Sequence, residues 1–248
     1  MSPQATTESV VKALTPTGKL RAAINLGNPI LAGKDPVTGA PTGVSVDLAR
    51  ELARRLNVQL ELITFQAAGK VVQAISANNV DIGFYAIDPK RGLDTLFTDA
   101  YVVIEGAYMV PTGSPIKDNS EVDRAGNRVV VGLGSAYDLY LTRELKQATI
   151  VRAPTSPTVV DVFLQQKYEV AAGVKQQLEA DMKRVSGVRL LPGHFMEIRQ
   201  SLATPKNREA AHAYLINFIE EMKRSGFVAQ ALARHHIQGA AVAPPKEK

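Results

Sequence analysis

The sequence predicts an α/β protein built from two lobes, and three observations carry this prediction. The chain has 248 residues, long enough for two domains of ordinary size, and 45% of them are hydrophobic, enough for buried cores. Strand-like runs alternate with segments of helical periodicity, which is typical of βαβ units around a parallel sheet. The alternation occurs twice, over residues 20–105 and 128–198, without the close sequence similarity of a tandem repeat. Two α/β lobes are the simplest account of this pattern.

The first occurrence of the pattern begins with a predicted strand at Leu20–Leu26. After a loop rich in Gly and Pro, the apolar residues Val46, Leu48, Leu52 and Leu56 recur on one face of a predicted helix, GVSVDLARELARRLNV. The elements that follow are the strand LELITF, the helix AGKVVQAISANN, the strand DIGFYAI and the strand AYVVIEGAYMV. This order predicts a βαβαβ unit.

The second occurrence follows a polar stretch with many turn residues, PTGSPIKDNSEVDRAGN. Its predicted elements are the strand RVVVGLG, the helix SAYDLYLTRELKQ, the strand TIVRAP, the helix PTVVDVFLQQK, the strand YEVAAGV and the helix KQQLEADMKRVS. The segment VRLLPGHFMEIRQSLATP is predicted to be extended, and two helices broken at Ser225 and Gly226 come after it. We expect the tail AAVAPPKEK to be frayed.

Composition argues against several kinds of partner. Lys and Arg outnumber Asp and Glu by 29 to 24, so the net charge of +5 is mild, and no long basic run concentrates it. Aromatic residues make up only 6% and Trp is absent, which argues against base stacking, so we expect no nucleic-acid partner. The chain has no Cys, no GxSxG and no HExxH, and its only adjacent His pair is His235 and His236. We therefore expect neither a metal nor a cofactor.

The first residues, MSPQATTESVVKAL, lack the basic segment and apolar segment of a secretory signal. No window approaches the roughly 18 apolar residues of a membrane span. Two expectations on localisation stay open: the protein is cytoplasmic if Met1 is the natural start, and periplasmic if a signal was removed and a Met was added.

Arg91 is the first candidate for an anion site. It lies just beyond the predicted strand DIGFYAI, in the turn DPKRGLD, where Pro89 stiffens the chain. A planar guanidinium binds a carboxylate through two parallel hydrogen bonds, a geometry that the neighbouring Lys90 cannot reproduce. We therefore expect Arg91 to hold a carboxylate and Lys90 to be solvated.

Other candidates lie in loops that follow predicted strands. Asn25 and Asn28 follow the first strand, where open α/β sheets collect ligands, although Asn also suits turns. Lys70 lies at a helix start. It either adds positive charge to an anion site or is an ordinary exposed Lys in a first helical turn.

The segment VVVGLGSAYDLYL contains GxG between a strand and a helix. The third Gly of the dinucleotide motif GxGxxG is missing, because Tyr137 stands in its place, which argues against a nucleotide role. Gly132 and Gly134 permit a tight turn, and Ser135 is placed to cap the following helix. The free amides at such a helix start suit a carboxylate, and an ordinary strand-to-helix turn is the alternative.

Taken in order, these segments resemble family three of the extracellular solute-binding proteins, over roughly Gly18 to Arg234. These are amino-acid receptors of ABC importers, with the type II periplasmic-binding-protein fold. The resemblance implies two α/β lobes that are joined by two crossover strands and close over a ligand in the cleft between them. It places the crossovers near Tyr108–Thr112 and Arg199–Thr204. The implied lobes are residues 1–108 with 203–248, and residues 109–202.

The resemblance also implies site residues. The family's Thr-x-Glu-Arg motif, whose Arg holds the ligand α-carboxylate, comes before a Phe-Ser/Thr-x-x-Tyr segment, and DPKR with FTDAY matches this pair of segments, which assigns that role to Arg91. The Gly-Thr-Thr loop of the second lobe corresponds to Gly134-Ser135-Ala136, with Tyr137 just after it. The predicted ligand-binding residues are Asn25, Asn28, Lys70, Tyr85, Arg91, Gly134, Ser135, Ala136, Tyr137 and Val174.

Two departures from the family pattern alter the expected ligand. Where the family has an Asp that pairs with the ligand ammonium, this sequence has Val174, followed by Lys175. In addition, the usual small residues before the Arg are replaced by Phe84, Tyr85 and Ala86, in a stretch about two residues shorter than the family norm. An unpaired ammonium is costly to desolvate, so we expect an organic acid or another polar ligand without a strong cation.

Three functions are compatible with these residues. The leading one is a non-enzymatic, monomeric solute-binding protein that presents a small carboxylate-bearing ligand to the membrane subunit of an ABC importer. The second is an enzyme on the same fold, similar to cyclohexadienyl dehydratases, with Glu197 as the general acid, since Glu169 begins its strand too far back. The third is a cytoplasmic small-molecule sensor.

Overall fold

The computed structural model describes residues 3–246 and divides into two compact units. Unit 1 comprises Met1–Val103 and Arg199–Lys248, and unit 2 comprises Ile104–Ile198. The sequence predicted these boundaries after residue 108 and after residue 202, which is five and four residues further along the chain.

The described residues form eight α-helices and twelve β-strands, which confirms the α/β class. The helices are α1 (Pro3–Leu14), α2 (Val44–Leu56), α3 (Ala68–Ser76), α4 (Ala136–Glu144), α5 (Val159–Gln165), α6 (Lys175–Arg184), α7 (Glu209–Arg224) and α8 (Phe227–Arg234). The strands are β1 (Leu20–Asn25), β2 (Gly33–Lys34), β3 (Pro41–Thr42), β4 (Leu60–Phe65), β5 (Ile82–Ala86), β6 (Thr95–Pro111), β7 (Arg128–Gly132), β8 (Thr149–Ala153), β9 (Val170–Val174), β10 (Val188–Leu190), β11 (Met196–Pro205) and β12 (Ala241–Val242). The chain passes between the units within β6 and β11. None of these helices is long and apolar enough to span a bilayer.

In the sheet of unit 1, β1 lies between β4 and β5. Strands β4 and β5 pair with β1 in parallel, as the βαβαβ pattern predicts, with Leu20 opposite Leu60. On the other side of β5, β11 runs antiparallel, with Gln200 opposite Ala86. The carboxyl ends of β1, β4 and β5 therefore meet at one edge.

Unit 2 also has parallel strands with an antiparallel neighbour. Strand β7 pairs in parallel with β8 and with β9, and the second half of β6 runs antiparallel to β9, with Gly106 opposite Val174. Its core packs Val130, Phe163 and Leu178 from one strand and two covering helices. The carboxyl ends of β7, β8 and β9 also meet at one edge.

Helix α2 confirms the amphipathic face read from the sequence, because its four periodic apolar residues are buried. Gly43 precedes the helix with φ of 119°, and a Cβ there would lie 2.5 Å from the Leu31 carbonyl oxygen. The helix ends where Asn57 adopts the left-handed conformation. Backbone geometry thus fixes both ends of α2.

Helix α1 was not predicted. Val10 and Leu14 are buried where α1 packs on α7, and Arg208 donates a hydrogen bond to the Ala13 carbonyl oxygen. The same guanidinium contacts the buried carboxylate of Asp81. The polar, β-branched segment ATTESV gives a weak helical signal, and packing against α7 stabilises it.

The expectation of a frayed tail is wrong for residues 240–246, whereas Glu247 and Lys248 lie outside the described residues. Ala241 pairs with Val103 in β6, which makes β12 an added strand of unit 1. The Lys223 ammonium donates to the Pro244 carbonyl oxygen over 3.2 Å. Backbone pairing and a buried cation therefore hold in place a segment that its composition predicted to be frayed.

Candidate functional site

Four of the predicted site residues lie at the carboxyl edge of the unit 1 sheet. Asn25 ends β1 and Asn28 lies in the loop after it, Lys70 is in the first turn of α3 after β4, and Arg91 follows β5. In open α/β sheets such an edge is the usual place for a ligand. The order of the elements thus accounts for the convergence of these residues.

Arg91, the first residue of a short 3-10 helix after β5, is held in one orientation. It is only 4% exposed, and its Nη1 donates a hydrogen bond of 2.9 Å to the Ala86 carbonyl oxygen. Its guanidinium carbon lies 5.6 Å from the centre of the Tyr85 ring. Lys90 is exposed, while its amide donates to Asp88 Oδ1 over 2.8 Å. The two neighbouring cations therefore have opposite environments.

Tyr85 supports Arg91 from the interior of unit 1. Its hydroxyl donates to Thr95 Oγ1 over 3.0 Å, and its ring meets the Phe97 ring edge-on at 5.6 Å. Burial raises the pKa of Tyr85 to about 12, against the opposing effects of the Thr95 hydrogen bond and the Arg91 charge. The side chain is thus a neutral packing partner at neutral pH.

The two asparagines differ in their hydrogen bonding. Asn25 Oδ1 accepts a hydrogen bond of 2.9 Å from the Gly27 amide, so it shapes its own loop. Asn28 is 9% exposed, and no donor within residues 3–246 bonds its buried Oδ1. Buried acceptors are nearly always paired, so Asn28 Oδ1 suits a donor group of a ligand. Lys70 is exposed, with a long contact of 3.4 Å from Nζ to Gln73 Oε1.

The loop after β7 confirms the predicted cap and adds an unexpected partner. Ser135 Oγ accepts from the Asp138 amide over 3.0 Å, at the start of α4, whose first residue is Ala136. Gly134 has φ of 71°, and its amide donates to Asp138 Oδ2 over 2.8 Å. Asp138 is buried and also pairs with Arg152 at 3.0 Å. The protein's own carboxylate thus already engages one amide that the sequence assigned to a ligand.

The Tyr137 side chain lies in the interior of unit 2. It is buried, and its hydroxyl donates to Ser156 Oγ over 2.8 Å. Burial raises the pKa of its hydroxyl above the ordinary value. Its polar end therefore ties α4 to the turn after β8.

Val174 ends β9 and is 6% exposed, and Lys175 opens α6 directly after it. Lys175 Nζ donates to Glu105 Oε2 over 3.2 Å, and Glu105 Oε1 lies 3.0 Å from His194 Nδ1. Sequence reasoning missed Glu105 and His194. The signal for Glu105 was present, because it is the one charged residue in the otherwise apolar run AYVVIEGAYMV.

A surface cavity of about 220 Å³ on unit 1 contains none of the predicted site residues. It lies between α2 and α8 and is lined by Asp47, Arg50, Glu51, Arg54, Phe227 and Arg234. Asp47 pairs there with Arg234 at 3.0 Å, and Glu51 pairs with Arg54 at 2.8 Å. The charges of this cavity therefore largely compensate one another.

Glu197, the acid considered for an enzyme, is exposed, and Glu169 pairs with Arg128 at 2.6 Å. Within residues 3–246, no group of three or more His, Asp or Glu side chains is placed to hold a metal ion.

Comparison with known proteins gives one family match. Residues 21–238 match the model of the bacterial extracellular solute-binding proteins, family 3. No curated protein matches the chain.

Solved structures show the same fold at low sequence identity. A solute receptor for L-cysteine from Neisseria gonorrhoeae has a TM-score of 0.79 at 19% identity, covering 92% of this chain and 94% of its own. A putative ABC-transporter binding component from Wolinella succinogenes, complexed with lysine, has a TM-score of 0.75 at 22% identity. The match covers 88% of this chain and 95% of that protein. An ancestral amino-acid-binding protein, a precursor of cyclohexadienyl dehydratase, has a TM-score of 0.75 at 19% identity. The match covers 90% of this chain and 98% of that protein. These similarities concern the fold.

Proposed function

We propose that this chain, which belongs to family 3 of the bacterial extracellular solute-binding proteins, is the binding component of an ABC-type importer and takes up a small carboxylate-bearing ligand. The similar structures named for lysine and L-cysteine binding support a small polar ligand of this size class. The protein acts in the periplasm, as a monomer and without catalysis, and delivers its ligand to the membrane subunit. The closure over the ligand that the family resemblance implies stays a prediction.

The environment of Arg91 is the observation that carries this proposal. A guanidinium in a buried position, oriented by the Ala86 carbonyl and the Tyr85 ring, provides a preorganised partner for a carboxylate. Its place beyond the carboxyl end of β5, with Asn28 Oδ1 in the loop after β1, matches the edge at which α/β sheets bind ligands. Arg91 thus binds the carboxylate, and Asn28 accepts from a donor group of the ligand.

The chemistry around Val174 supports an acid without an ammonium group. Val174 offers no charge, and the ammonium that follows it belongs to Lys175. A ligand amine would lose its hydration there without gaining a carboxylate partner. The ligand is therefore an organic acid in preference to a standard α-amino acid.

The test is a thermal-shift screen of the wild type and Arg91→Ala against amino acids, small organic acids and prephenate. A ligand at 100 times its dissociation constant stabilises the native state by about 2.7 kcal/mol, which raises the Tm of a chain of this size by about 5–10 °C. We expect an acid without an amine to raise the Tm of the wild type and to leave the Tm of Arg91→Ala unchanged. Lys90→Ala is the matched control and keeps the full response.

Two results would contradict this proposal. If standard amino acids stabilise the wild type and Arg91→Ala equally, both the Arg91 assignment and the ligand class are wrong. The dehydratase alternative is tested in the same screen, because the ancestral precursor has a similar fold. Consumption of prephenate that depends on Glu197 would establish an enzyme, whereas stabilisation without turnover supports a receptor.

A further inference from the structure

We infer that Arg199 is a second anion-binding residue of unit 1, so that the preferred ligand carries two anionic groups. This inference rests on the proposed function, because Arg91 accounts for the first carboxylate. Both arginines belong to unit 1. The site that they form therefore lies within one compact unit.

Strand β11 brings Arg199 next to the end of β5, where Arg91 is anchored. The Ile87 amide donates to the Arg199 carbonyl oxygen over 2.9 Å, and the ladder continues with Gln200 opposite Ala86. The Ala86 carbonyl oxygen is also the acceptor for Arg91 Nη1. Paired strands lie about 4.8 Å apart, so the Arg199 backbone is one strand spacing from the carbonyl group that orients Arg91.

The Arg199 side chain points to the face of the sheet on which Arg91 contacts Tyr85. Residues that lie opposite each other in an antiparallel pair point to the same face, and the face alternates along each strand. Arg199 therefore shares a face with Ser201, whose partner in the ladder is Tyr85. The Arg91 guanidinium carbon lies 5.6 Å from the centre of the Tyr85 ring. The two arginines thus approach the carboxyl end of β5 from the same side.

The Arg199 guanidinium has no protein partner in the part of the chain that the structure describes. It is exposed, and within residues 3–246 no hydrogen bond or ion pair engages it. Arg21 and Arg128, which also lie on strands, pair with carboxylates at 2.9 and 2.6 Å. The five N–H donors of Arg199 are therefore available to a ligand, and their planar arrangement suits a carboxylate.

Neighbouring charges favour an anion at this edge of the sheet. Lys90 is exposed in the turn after β5, and Lys70 is exposed in the first turn of α3, the helix that packs on the face with Tyr85. The turn after β5 also contains one acid, Asp88, whose Oδ1 accepts from the Lys90 amide. The positive charges attract an anionic group to Arg199, whereas a ligand ammonium would meet like charges.

The burial of the two arginines separates their roles. Arg91 is 4% exposed, so its carboxylate partner loses most of its hydration, whereas Arg199 remains in contact with water. A monocarboxylate on Arg91 leaves Arg199 solvated, at little cost. A second anionic group at the solvent side of the ligand adds the pair with Arg199. Arg199 therefore determines the preference for a dianion and contributes little to the affinity for a monoanion.

The experiment compares acids that differ by one carboxylate: butanoate with butanedioate, and pentanoate with pentanedioate. Calorimetric titration at low ionic strength, where charge pairs are least screened, gives the dissociation constant of each acid for the wild type, Arg199→Gln, Arg50→Gln and Arg91→Ala. Arg50 is the matched control, because it is an exposed Arg of unit 1 that forms no ion pair within the described residues. Circular dichroism checks that all four proteins are folded.

We expect a dicarboxylate to bind the wild type and Arg50→Gln about 5-fold more tightly than its monocarboxylate, the upper range for an exposed charge pair. In Arg199→Gln this preference falls to about 2-fold or less, while the affinity for the monocarboxylate is retained. Arg199→Glu provides a second test. In 3-aminopropanoate an ammonium replaces one carboxylate of butanedioate, and this compound should bind Arg199→Glu more tightly than it binds the wild type.

The outcomes separate this inference from the proposed function. If both acids of a pair bind the wild type equally, and Arg91→Ala loses both, the role of Arg199 is refuted and the proposed function stands. A dicarboxylate preference that survives in Arg199→Gln, or that falls equally in Arg50→Gln, also refutes the role of Arg199. If no carboxylate binds the wild type at all, the proposed function fails, and the inference fails with it.

Discussion

At the scale of single residues, immediate partners decide what each charged side chain does. Lys90 and Arg91 are neighbours of equal charge, but only Arg91 is buried, placed over an aromatic ring and bonded to a backbone carbonyl. Glu51 shows the same effect for an acid, because the guanidinium groups of Arg54 and Arg55 both bond to it. Burial and hydrogen bonding, more than residue type, set the behaviour of these groups.

Glu51 gives a prediction on pH dependence. Hydrogen bonds from Arg54, followed by Arg55, lower the pKa of Glu51 from 4.5 to about 2, against the effect of burial. A lowered pKa in the native state contributes stability above the unfolded value, and this contribution is lost as the pH falls from about 4.5 to about 2. Because solvent screens this surface network, we expect about 1 kcal/mol.

The measurement is urea unfolding of the wild type and Glu51→Gln across this pH range. Glu51→Gln should be less stable than the wild type at neutral pH, and the difference should shrink as the pH falls through about 2 and vanish below it, because a carboxylate that is protonated in both the folded and the unfolded state adds no stability. Glu144→Gln, at an exposed position of α4, is the control and should follow the wild type. A constant difference between Glu51→Gln and the wild type at every pH would contradict the assignment.

At the scale of elements, the tail shows how a short segment is held by few contacts. β12 adds two residues to the edge of β6, and the Ala243 amide donates to the Tyr101 carbonyl oxygen. The Lys223 side chain, 1% exposed, bonds the carbonyl oxygens of Ala100 and Pro244 and pairs with Glu220. A buried cation thus joins α7, β6 and the tail.

Lys223→Met tests this junction. The substitution keeps most of the side-chain volume but leaves the Glu220 carboxylate buried without its main partner, so we expect a loss of about 3–5 kcal/mol in the free energy of unfolding. Denaturant unfolding measures this loss, and Lys19→Met, at an exposed position, is the control. The double variant Glu220→Gln with Lys223→Met should recover part of the stability. A single variant as stable as the wild type would show that the tail does not depend on Lys223.

At the scale of the whole molecule, each unit contains its own hydrophobic core. In unit 2 the core includes Phe163, Val130 and Leu178, and in unit 1 one cluster includes Val71, Ile75 and Tyr85. A defect in one core should therefore affect the local stability of that unit first.

Phe163→Ala tests this expectation. Removing a buried ring leaves a cavity, so we expect a loss of about 3–5 kcal/mol in the stability of unit 2. Hydrogen exchange followed by mass spectrometry should show faster exchange in peptides from residues 104–198, with a smaller change in peptides from residues 1–103. Tyr168→Phe, at a half-buried position of unit 2, is the control. Equal acceleration in both units would contradict the expectation of local opening.

The sequence by itself determined the features that depend on residues close together in the chain. The periodic spacing in α2 predicted its buried face, the strand–helix alternation predicted the parallel strands of both units, and Ser135 marked the start of α4. Such signals are local, because helical and strand periodicity and capping involve residues within a few positions of one another. The choice of Arg91 over Lys90 rested on the chemistry of the guanidinium.

Only the tertiary structure decided which distant residues meet. Glu105 and Lys175 are 70 residues apart, and the pairing of β6 with β9 brings them together. Lys223 meets Pro244 only when the tail folds back onto unit 1. Sequence periodicity does not predict such pairs, because strand register and helix packing determine which residue lies next to a charged side chain. For that reason the docked tail and the pair of Glu105 with Lys175 emerge from the structure, while the candidate role of Arg91 was already visible in the sequence.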